Sequence, residues 1–505
     1  MPSAILTLSA RLNQAMQRAR PTDDQLPLVA GLPSHKGDTA LLRQVRTLSA
    51  AAVVPPHFVL VQSLSALSLV AEEMHASGVC AVDTETTGLD WTDRVVCLGV
   101  YVNGKSYVIP HQMVHAPRNF DEHEIADALG PPLELAAVRK LVHNGKFDAH
   151  KIRQTFGIEM HGIYFDSSIA MRLLNENEPR DLESISVKYL NAPSWKIKQD
   201  GKFNLWPMNM ACLYLGRDVE MTAKMADFQI LELAKLPAVN KLFWEIEMPT
   251  AELAYRMERR GIAWDPDFYA TTMRPEVERE LDSARAAVQA YSGPINLDSP
   301  LQLSAFLFDT LKLPCKSRST DKRVLQELRA AHPVIGCIER YRKYGTIYRA
   351  FVLKLPKRVH AGRVHTSLNT VGAKTGRMSS ADPNLQNLPK QSIGPLIRKG
   401  FVPSPGCVLV ALDYSQIELR LLAHFSGDAV LVRAFADGKD VHSAVAHETL
   451  GVSWAELEAD KDCAARVKAK AINFGLLYGM GLGKLVDTVN GALRGGEARM
   501  TTSEG

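Results

Sequence analysis

In this chain of 505 residues, the fold of the first half is best predicted from Gly78-Val-Cys-Ala-Val-Asp83-Thr-Glu85-Thr-Thr-Gly-Leu89. A short apolar run ends in two carboxylates that lie two positions apart. Because side chains alternate between the two faces of a strand, Asp83 and Glu85 are predicted to share one face. Two hard oxygen ligands on one face suit Mg²⁺ or Mn²⁺.

Further strand patterns follow this segment. Arg94–Val102 and Lys105–Pro110 predict two strands joined by a hairpin turn at Asn103-Gly104, and Leu141–His143 predicts a fourth strand. Helical patterns dominate from about residue 164 to residue 360. One of these helices is Ile246–Arg260, whose inward-facing side chains are predicted to be Met248, Leu253 and Met257.

Two other segments bring acids to the same region of the predicted fold. Asn144-Gly-Lys-Phe-Asp148 places an acid just after a strand, and Tyr214-Leu-Gly-Arg-Asp218 places a phenol and an acid on one helix face. Four carboxylates would bind two metal ions, which clamp the attacking and leaving oxygens of an in-line phosphodiester displacement. Each acid alone is more typical of a solvated turn or a helix cap. The order of the three segments favours the metal site.

These three segments closely resemble the motifs of the DEDDy 3′–5′ exonucleases, and the likeness spans about residues 60–230. The resemblance implies an RNase H-like fold that proofreads for DNA polymerases, with a two-metal site for Mg²⁺ or Mn²⁺. The metal ligands that it implies are Asp83, Glu85, Asp148 and Asp218. Tyr214 would take the role of the family tyrosine.

The second half opens with another apolar run that ends in an acid. Val408–Leu412 predicts a buried strand running into Asp413, the position at which a palm-type sheet presents metal ligands. Residues 414–425 predict the following helix. Its buried stripe is predicted to be Ile417, Leu421 and Phe425.

A further helix is predicted over residues 462–478. Arg466, Lys470, Phe474 and Tyr478 recur every four residues and would form a line roughly 18 Å long. Cations come first and aromatic rings last, which matches the phosphates and the base of a nucleoside triphosphate. His442 would add another phosphate donor. The spacing alone favours an amphipathic helix with a solvated basic edge, and the neighbouring motifs favour the nucleotide site.

Asp413-Tyr-Ser-Gln-Ile-Glu-Leu-Arg420 and the segment that ends in Asn473-Phe-Gly-Leu-Leu-Tyr-Gly479 resemble motifs A and B of the family A DNA polymerases. The likeness spans roughly residues 240–485. It implies that Asp413 is a catalytic metal ligand and that Glu418 excludes the ribose 2′-OH. Thr375–Ser380 and Pro383–Asn387 resemble the block that contacts primer–template DNA. The implied nucleotide-binding residues are Gln416, Glu418, His442, Arg466, Lys470, Phe474 and Tyr478, and the implied DNA-binding residues are Arg377, Asn384 and Gln386.

One expected motif is missing. The family supplies its second catalytic aspartate from motif C, a hairpin that contains His-Asp, and this chain has no His-Asp dipeptide. Three hypotheses follow. The chain is an exonuclease–polymerase completed by a second polypeptide that carries motif C, a truncated product active only as an exonuclease, or a non-catalytic module that binds primer–template DNA.

The expected fold class is α/β plus a mainly helical region, an RNase H-like domain followed by a partial right-hand polymerase domain with thumb, part of the palm and part of the fingers. The predicted divisions are a leader or linker (1–60), the exonuclease domain (61–235), the partial polymerase domain (236–490) and an irregular tail (491–505).

The composition sets the class of protein. The chain is 46% apolar and 23% charged, which excludes disorder along its whole length. Its net charge of +4 is too small to identify a partner. No apolar run is long enough for a membrane helix. The resemblances imply DNA primer–template, single-stranded 3′ ends and dNTPs as partners, and a bacterial cytoplasm or a phage-infected cell as the location.

Overall fold

A computed structural model describes residues 39–197, 202–315, 317–373, 375–389, 393–460 and 463–492. The chain divides into two compact units, residues 1–407 and residues 408–505. The domain boundary predicted after residue 235 therefore lies inside the first unit. None of the described helices is long and apolar enough to cross a membrane.

The first part of the first unit is built on a mixed six-stranded sheet in the order β1-β4-β3-β2-β5-β6. Strand β2 pairs antiparallel with β3 and parallel with β5, and β3 forms a hairpin with β4. The elements are α1 (Ala40–Ser49), β1 (Phe58–Leu60), α2 (Leu64–Ser77), β2 (Val79–Thr86), β3 (Val95–Val102), β4 (Lys105–Pro110), α3 (Glu122–Glu134), β5 (Arg139–Val142), α4 (Gly145–Phe156), β6 (Ile163–Asp166), α5 (Ser167–Leu174), α6 (Leu182–Leu190) and α7 (Met208–Ala234).

The four strands predicted around the Asp83 segment are confirmed. Asn103 and Gly104 have φ values of 50° and 78°, which is the backbone that a tight hairpin turn requires. Helices cover both faces of the sheet. The helices α2, α3 and α4 supply side chains to one buried cluster, and α1 and α7 supply side chains to another.

The leader predicted for residues 1–60 is wrong over two of its segments. Helix α1 begins after Thr39, whose side chain accepts from the Leu42 amide, and Leu42 is buried. Strand β1 pairs in parallel with β4. The pattern was missed because both elements are short and gain their stability from packing on the sheet and on α7. Residues 1–38 lie outside the described residues.

The rest of the first unit is mainly helical, with a small sheet in the order β12-β7-β9-β8 and the hairpin β10–β11. Four π-type turns extend its helices: Phe243–Glu247, Tyr269–Met273, Phe306–Thr310 and Tyr348–Lys354. The elements are α8 (Pro237–Leu242), α9 (Met248–Arg260), β7 (Ile262–Trp264), α10 (Pro266–Phe268), α11 (Arg274–Ser292), α12 (Pro300–Ala305), α13 (Lys322–Leu328), α14 (Val334–Ile347), β8 (Val359–His360), β9 (Arg363–Val364), β10 (Ser367–Asn369), β11 (Ser379–Ala381), α15 (Gly394–Lys399) and β12 (Phe401–Val402).

The inward face predicted for α9 is partly wrong. Met248 is buried, but Leu253 and Met257 are 52% and 51% exposed. The helix instead buries the face that carries Tyr255 and Glu258, because this face meets the exonuclease part of the unit.

The second unit is helical in its described residues. Its elements are α16 (Ile417–Ser426), α17 (Ala429–Ala436), α18 (Val441–Leu450), α19 (Trp454–Ala459), α20 (Ala464–Leu477) and α21 (Leu482–Ala492). The irregular tail predicted from residue 491 is wrong at residues 491 and 492, which belong to α21. Residues 493–505 lie outside the described residues.

Two predictions for the second unit are wrong. Residues 408–412 form no strand, and Val408 is 80% exposed. The described part of this unit contains no strand with which residues 408–412 could form backbone hydrogen bonds. The apolar segment therefore stays exposed. On α16 the buried residues are Leu419 and Ala423, because that face packs into the cluster with α17, α18 and α20. The predicted stripe is exposed: Ile417, Leu421 and Phe425.

Candidate active site

A cluster of carboxylates lies where β2 meets α7. Oxygens of Asp83, Glu85 and Asp218 lie within 4.8 Å of one another. Glu85 and Asp218 are 7% and 1% exposed. Strand alternation places the first two on one face, as predicted, and α7 brings the third across the sheet. Within the part of the chain that the structure describes, this is the one group of three or more potential metal ligands.

Asp148 lies beside the cluster on the first turn of α4. One of its oxygens, Oδ1, accepts from the Thr84 amide at 3.1 Å and from the Thr84 hydroxyl at 2.7 Å. Its pKa is raised well above the usual range, first by burial and then by the neighbouring charge of Asp83. The structure thus brings all four predicted ligands together, with Asp148 just outside the tightest group.

The turn that delivers Asp148 is held by a buried carboxylate. Asp166 accepts from the amides of Asn144, Gly145 and Ser168 at 3.1, 2.9 and 2.9 Å. Asn144 has a φ of 65°, and a Cβ on Gly145 would lie 2.2 Å from a Val142 methyl carbon. The Asn-Gly pair is therefore required by the turn, and Asp166 positions the helix that carries Asp148.

Two side chains that contact Asp218 were not predicted from the sequence. The Lys196 ammonium is 2.6 Å from Oδ2, and the Trp195 indole donates to Oδ1 at 2.7 Å. The same ammonium lies 4.3 Å from the centre of the Tyr214 ring. A Trp-Lys pair in a loop is a weak sequence signal, because nothing in its spacing relates it to the acid 22 residues later.

Glu183 on α6 holds the loop that carries this pair. Its carboxylate accepts from the Ser194 hydroxyl at 2.5 Å and from the amides of Trp195 and Lys196 at 2.7 and 2.9 Å. The backbone at Lys196 is therefore fixed, whereas four methylene groups separate it from the ammonium. Its side chain is 32% exposed.

The cluster carries more negative charge than its burial favours. Burial, followed by the charge of Asp218, raises the pKa of Asp83 to about 7, although Lys196 opposes the shift. Burial also raises the pKa of Tyr214. For Lys196 burial lowers the pKa, but the charges of Asp218, Tyr214, Asp83 and Glu85 outweigh it and raise the pKa overall. Four carboxylates beside the Lys196 ammonium leave the cluster with a net negative charge, which fits a divalent cation.

An open cavity of about 470 Å³ leads to this cluster. It has room for a nucleotide-sized group, and Phe147 and Ile197 give it apolar surface. Its other lining residues are Asp83, Thr84, Glu85, His143, Asp148, Asp181, Glu183, Lys196 and Tyr214.

The predicted nucleotide-binding residues lie in the second unit. The Tyr478 hydroxyl donates to the Glu418 carboxylate, so the two motifs meet. The rings of Phe474 and Tyr478 stack with centroids 6.4 Å apart. Gln416, just before α16, has a φ of 52°. Lys470 lies on the exposed face of α20.

Arg466 and His442 are already engaged by other side chains. Arg466 pairs with Asp440 at 2.9 Å, and His442 is bonded to the Asn473 amide at 3.0 Å. Partial burial raises the pKa of Asp440, but hydrogen bonds from Arg466 and Ser443 hold it at about 2. A triphosphate would have to compete with Asp440 for Arg466. Asp413 is exposed in the irregular segment before α16.

The predicted DNA-binding residues lie in the first unit and are exposed. The Asn384 side chain accepts from the amides of Gln386 and Asn387, both at 3.1 Å. The Gln386 side chain donates to the Met378 carbonyl at 3.2 Å. Arg377 is one residue before Met378, so these hydrogen bonds bring the three predicted residues into one loop system.

Comparison with protein families gives two matches on this chain. Residues 58–233 match the family described as 3′-5′ exonuclease, and residues 268–502 match the family described as DNA polymerase family A. The first match contains all four carboxylates of the site. The second contains the segments around Arg377, Asp413 and Phe474.

Similar proteins cover most of the chain. The DNA polymerase I of Synechocystis sp. is 32% identical over 94% of this chain and 49% of its own length. The thermostable DNA polymerase I of Thermus thermophilus is 40% identical over 56% of this chain and 36% of its own length. The chain thus spans about half the length, or less, of these curated relatives.

A solved structure has a similar fold. It is described as the POL domain of Pol1 from M. smegmatis in complex with DNA primer-template and dNTP. It matches with a TM-score of 0.70 and 27% identity, over 88% of this chain and 74% of the other. The expected fold class, an RNase H-like exonuclease domain followed by a polymerase region, is confirmed.

Proposed function

Because this chain belongs to the family A DNA polymerases and carries their 3′–5′ exonuclease region, we propose that it removes nucleotides from the 3′ end of single-stranded DNA. The observation that carries the proposal is the buried group of Asp83, Glu85 and Asp218, with Asp148 beside it. Four carboxylates at one end of an open cavity suit metal-assisted hydrolysis of a phosphodiester.

The donor set fits divalent cations, and we propose two Mg²⁺ or Mn²⁺ ions. Asp83, Glu85, Asp148 and Asp218 would hold them through carboxylate oxygens, the ligands that both ions prefer. When bound, such ions stabilise negative charge that develops on the phosphodiester oxygens.

The chain's own side chains would orient the reactants. Tyr214 contributes a phenol that is protonated at neutral pH, and burial raises its pKa further, so its hydroxyl can donate to or accept from an attacking water. Phe147 offers an apolar wall on which a terminal base can pack. Thr84 fixes Asp148 through two hydrogen bonds.

A matched set of variants tests the exonuclease proposal. Wild-type protein should shorten a single-stranded oligonucleotide in the presence of Mg²⁺, and Asp148→Ala should lower the rate by at least about a hundredfold. Asp127→Ala is the control, because Asp127 is an exposed acid on α3 outside the cluster. Equal rates in the wild type and Asp148→Ala would exclude the site.

A second activity is favoured by the meeting of Glu418 and Tyr478 and by the polymerase family match. We propose that residues 268–492 bind primer–template DNA and a dNTP. DNA would contact Arg377, Asn384 and Gln386. A metal ion would bind Asp413. The nucleotide would contact Gln416, Glu418, His442, Arg466, Lys470, Phe474 and Tyr478.

Primer extension tests whether the chain polymerises DNA by itself. We expect the 505-residue chain to bind a primer–template without extending it, since two-metal phosphoryl transfer needs a second acidic ligand and the sequence has no His-Asp dipeptide of the motif C kind. Extension by the chain alone would contradict this expectation. A second polypeptide carrying motif C stays a hypothesis, as does a location in a bacterial cytoplasm or a phage-infected cell.

A further inference from the structure

Lys196 places an ammonium among the carboxylates of the proposed metal site. Its Nζ is 2.6 Å from Asp218 Oδ2 and lies over the Tyr214 ring. Asp218 is 1% exposed, and its other oxygen is bonded to Trp195. The ammonium therefore neutralises a buried acid that would otherwise lack a cationic partner.

A divalent cation on the same acid would conflict with this arrangement. Two cations that share one carboxylate at such distances repel each other strongly, and burial weakens the screening by water. Oδ1 accepts from Trp195 and Oδ2 from Lys196, so a divalent ion that binds Asp218 must approach an oxygen that already accepts a hydrogen bond. Each oxygen keeps a second lone pair, so the competition is one of charge: an ion on Asp218 repels the ammonium held at the same carboxylate.

The Lys196 ammonium can move away from Asp218 while the loop that carries it stays folded. Glu183 holds the backbone of residues 194–196, whereas the lysine side chain is partly exposed and borders the open cavity. Rotation about the side-chain bonds is enough to move the charge from Asp218 towards solvent.

We propose that Lys196 is a tethered cation that competes with a divalent ion for Asp218, and so sets the metal concentration at which the exonuclease site fills. The proposal rests on the metal site of the proposed function. Lys196 is a positioning residue, because it acts through Asp218.

Calorimetric titration of the full chain with MnCl₂ tests the proposal. Lys196→Met should bind Mn²⁺ about tenfold more tightly than the wild type, because the competing charge is gone. Lys196→Arg, which keeps the charge, should bind more weakly than Lys196→Met. The matched control is Lys188→Met, since Lys188 is 54% exposed and pairs with Glu178 outside the cavity; it should bind like the wild type.

Unchanged or weaker Mn²⁺ binding in Lys196→Met would overturn the proposal, because a purely structural ion pair predicts one of these results. Titration of Asp83→Ala distinguishes failure of the proposed metal site from failure of the proposed competition by Lys196. If the wild type and Asp83→Ala bind Mn²⁺ equally, the metal site itself is refuted. If only the wild type binds and Lys196→Met matches it, only the competition is refuted.

A measurement on the wild-type protein tests the proposal without any variant, so its result does not depend on whether a variant folds. Brief acetylation with acetic anhydride, read by mass spectrometry, reports how accessible each lysine amine is. Mn²⁺ should raise the labelling of Lys196 several-fold and leave that of Lys188 unchanged. Unchanged or reduced labelling of Lys196 with Mn²⁺ would also overturn the proposal.

Discussion

Lys140 shows how a single buried charge affects this fold. It lies on β5 with none of its surface exposed, and its ammonium donates to the Leu135 carbonyl at 2.9 Å. Burial lowers its pKa from 10.5 to about 8, although the neighbouring Cys80 opposes the shift. The sheet therefore tolerates the charge at a cost in stability near neutral pH.

We predict that Lys140→Met stabilises the protein more at pH 7 than at pH 10. Between about pH 8 and pH 10.5 the unfolded wild type binds more protons at this lysine than the folded wild type does, so its stability rises with pH. The variant lacks this gain. Urea unfolding of both proteins at the two pH values measures the difference, and a difference that does not change with pH would contradict the prediction.

The site residues on regular elements were predictable, and those on the loop were not. Asp83 and Glu85 follow from strand alternation, and Tyr214 and Asp218 follow from helical spacing. Lys196 reaches Asp218 only because Glu183 fixes the intervening loop. Such a contact depends on tertiary structure, so no local pattern contains it.

At the scale of elements, the approach of α7 to the sheet positions the site. Gly99 on β3 pairs with Asp83, and a Cβ on Gly99 would lie 2.8 Å from Leu215 Cγ and 2.9 Å from a Val219 methyl carbon. These two residues are on the turns of α7 that carry Tyr214 and Asp218. A glycine is therefore required where the helix crosses the strand.

We predict that Gly99→Ala lowers the free energy of unfolding by about 1–3 kcal/mol and weakens Mn²⁺ binding, because it pushes α7 away from β2. The control is Gly130→Ala on α3, whose Cβ would meet its nearest neighbour at an ordinary 3.8 Å. Thermal unfolding and Mn²⁺ titration of both variants check this. If Gly99→Ala folds and binds Mn²⁺ as tightly as the wild type, the added methyl group does not displace α7 and the prediction is refuted.

The wrongly predicted strand and the wrongly predicted helix face of the second unit have the same cause, because neighbouring elements determine both. Val408–Leu412 has the composition of a core strand, but a strand needs a neighbour in its own unit, and the described residues there supply none. On α16 three apolar residues recur with the helical spacing that was predicted, but they lie on the exposed face and not on the buried one: Ile417, Leu421 and Phe425. Periodicity predicts that a helix is amphipathic, whereas the neighbouring helices decide which apolar face is covered.

At the scale of the molecule, Glu258 joins the exonuclease part of the first unit to its later segments. This buried carboxylate of α9 accepts from the Lys146 ammonium at 2.5 Å, from His150 at 2.6 Å and from the Leu368 amide at 2.5 Å. Lys146 and His150 are on α4, the helix that carries Asp148. Burial raises the pKa of Glu258, but His150 and Lys146 outweigh it and lower the pKa overall.

We predict that Glu258→Gln destabilises the first unit by about 3 kcal/mol at pH 7, because Lys146 loses its buried partner. A carboxylate with a lowered pKa stabilises the fold above its ordinary value of 4.5, and this contribution is lost as the pH falls through the lowered pKa. The difference from the wild type should therefore shrink in acid. Glu252→Gln, an exposed acid on the same helix, is the control. Equal urea midpoints for the two variants would refute the prediction.

The division of the whole chain was only partly predictable. The motifs located the exonuclease and polymerase regions, which the family matches confirm. The compact units instead divide after residue 407, because contacts such as those of Glu258 bind residues 237–407 to the exonuclease part. Long-range ion pairs of this kind leave no mark in composition or periodicity.

The direction of digestion distinguishes a 3′–5′ exonuclease from other nucleases. A single-stranded oligonucleotide labelled at its 5′ end should shorten one nucleotide at a time with Mg²⁺, and the same oligonucleotide labelled at its 3′ end should release labelled mononucleotide from the start. Asp83→Ala should do neither. Release of mononucleotide from the 5′ label first, or the same products from Asp83→Ala, would contradict a 3′–5′ exonuclease at this site.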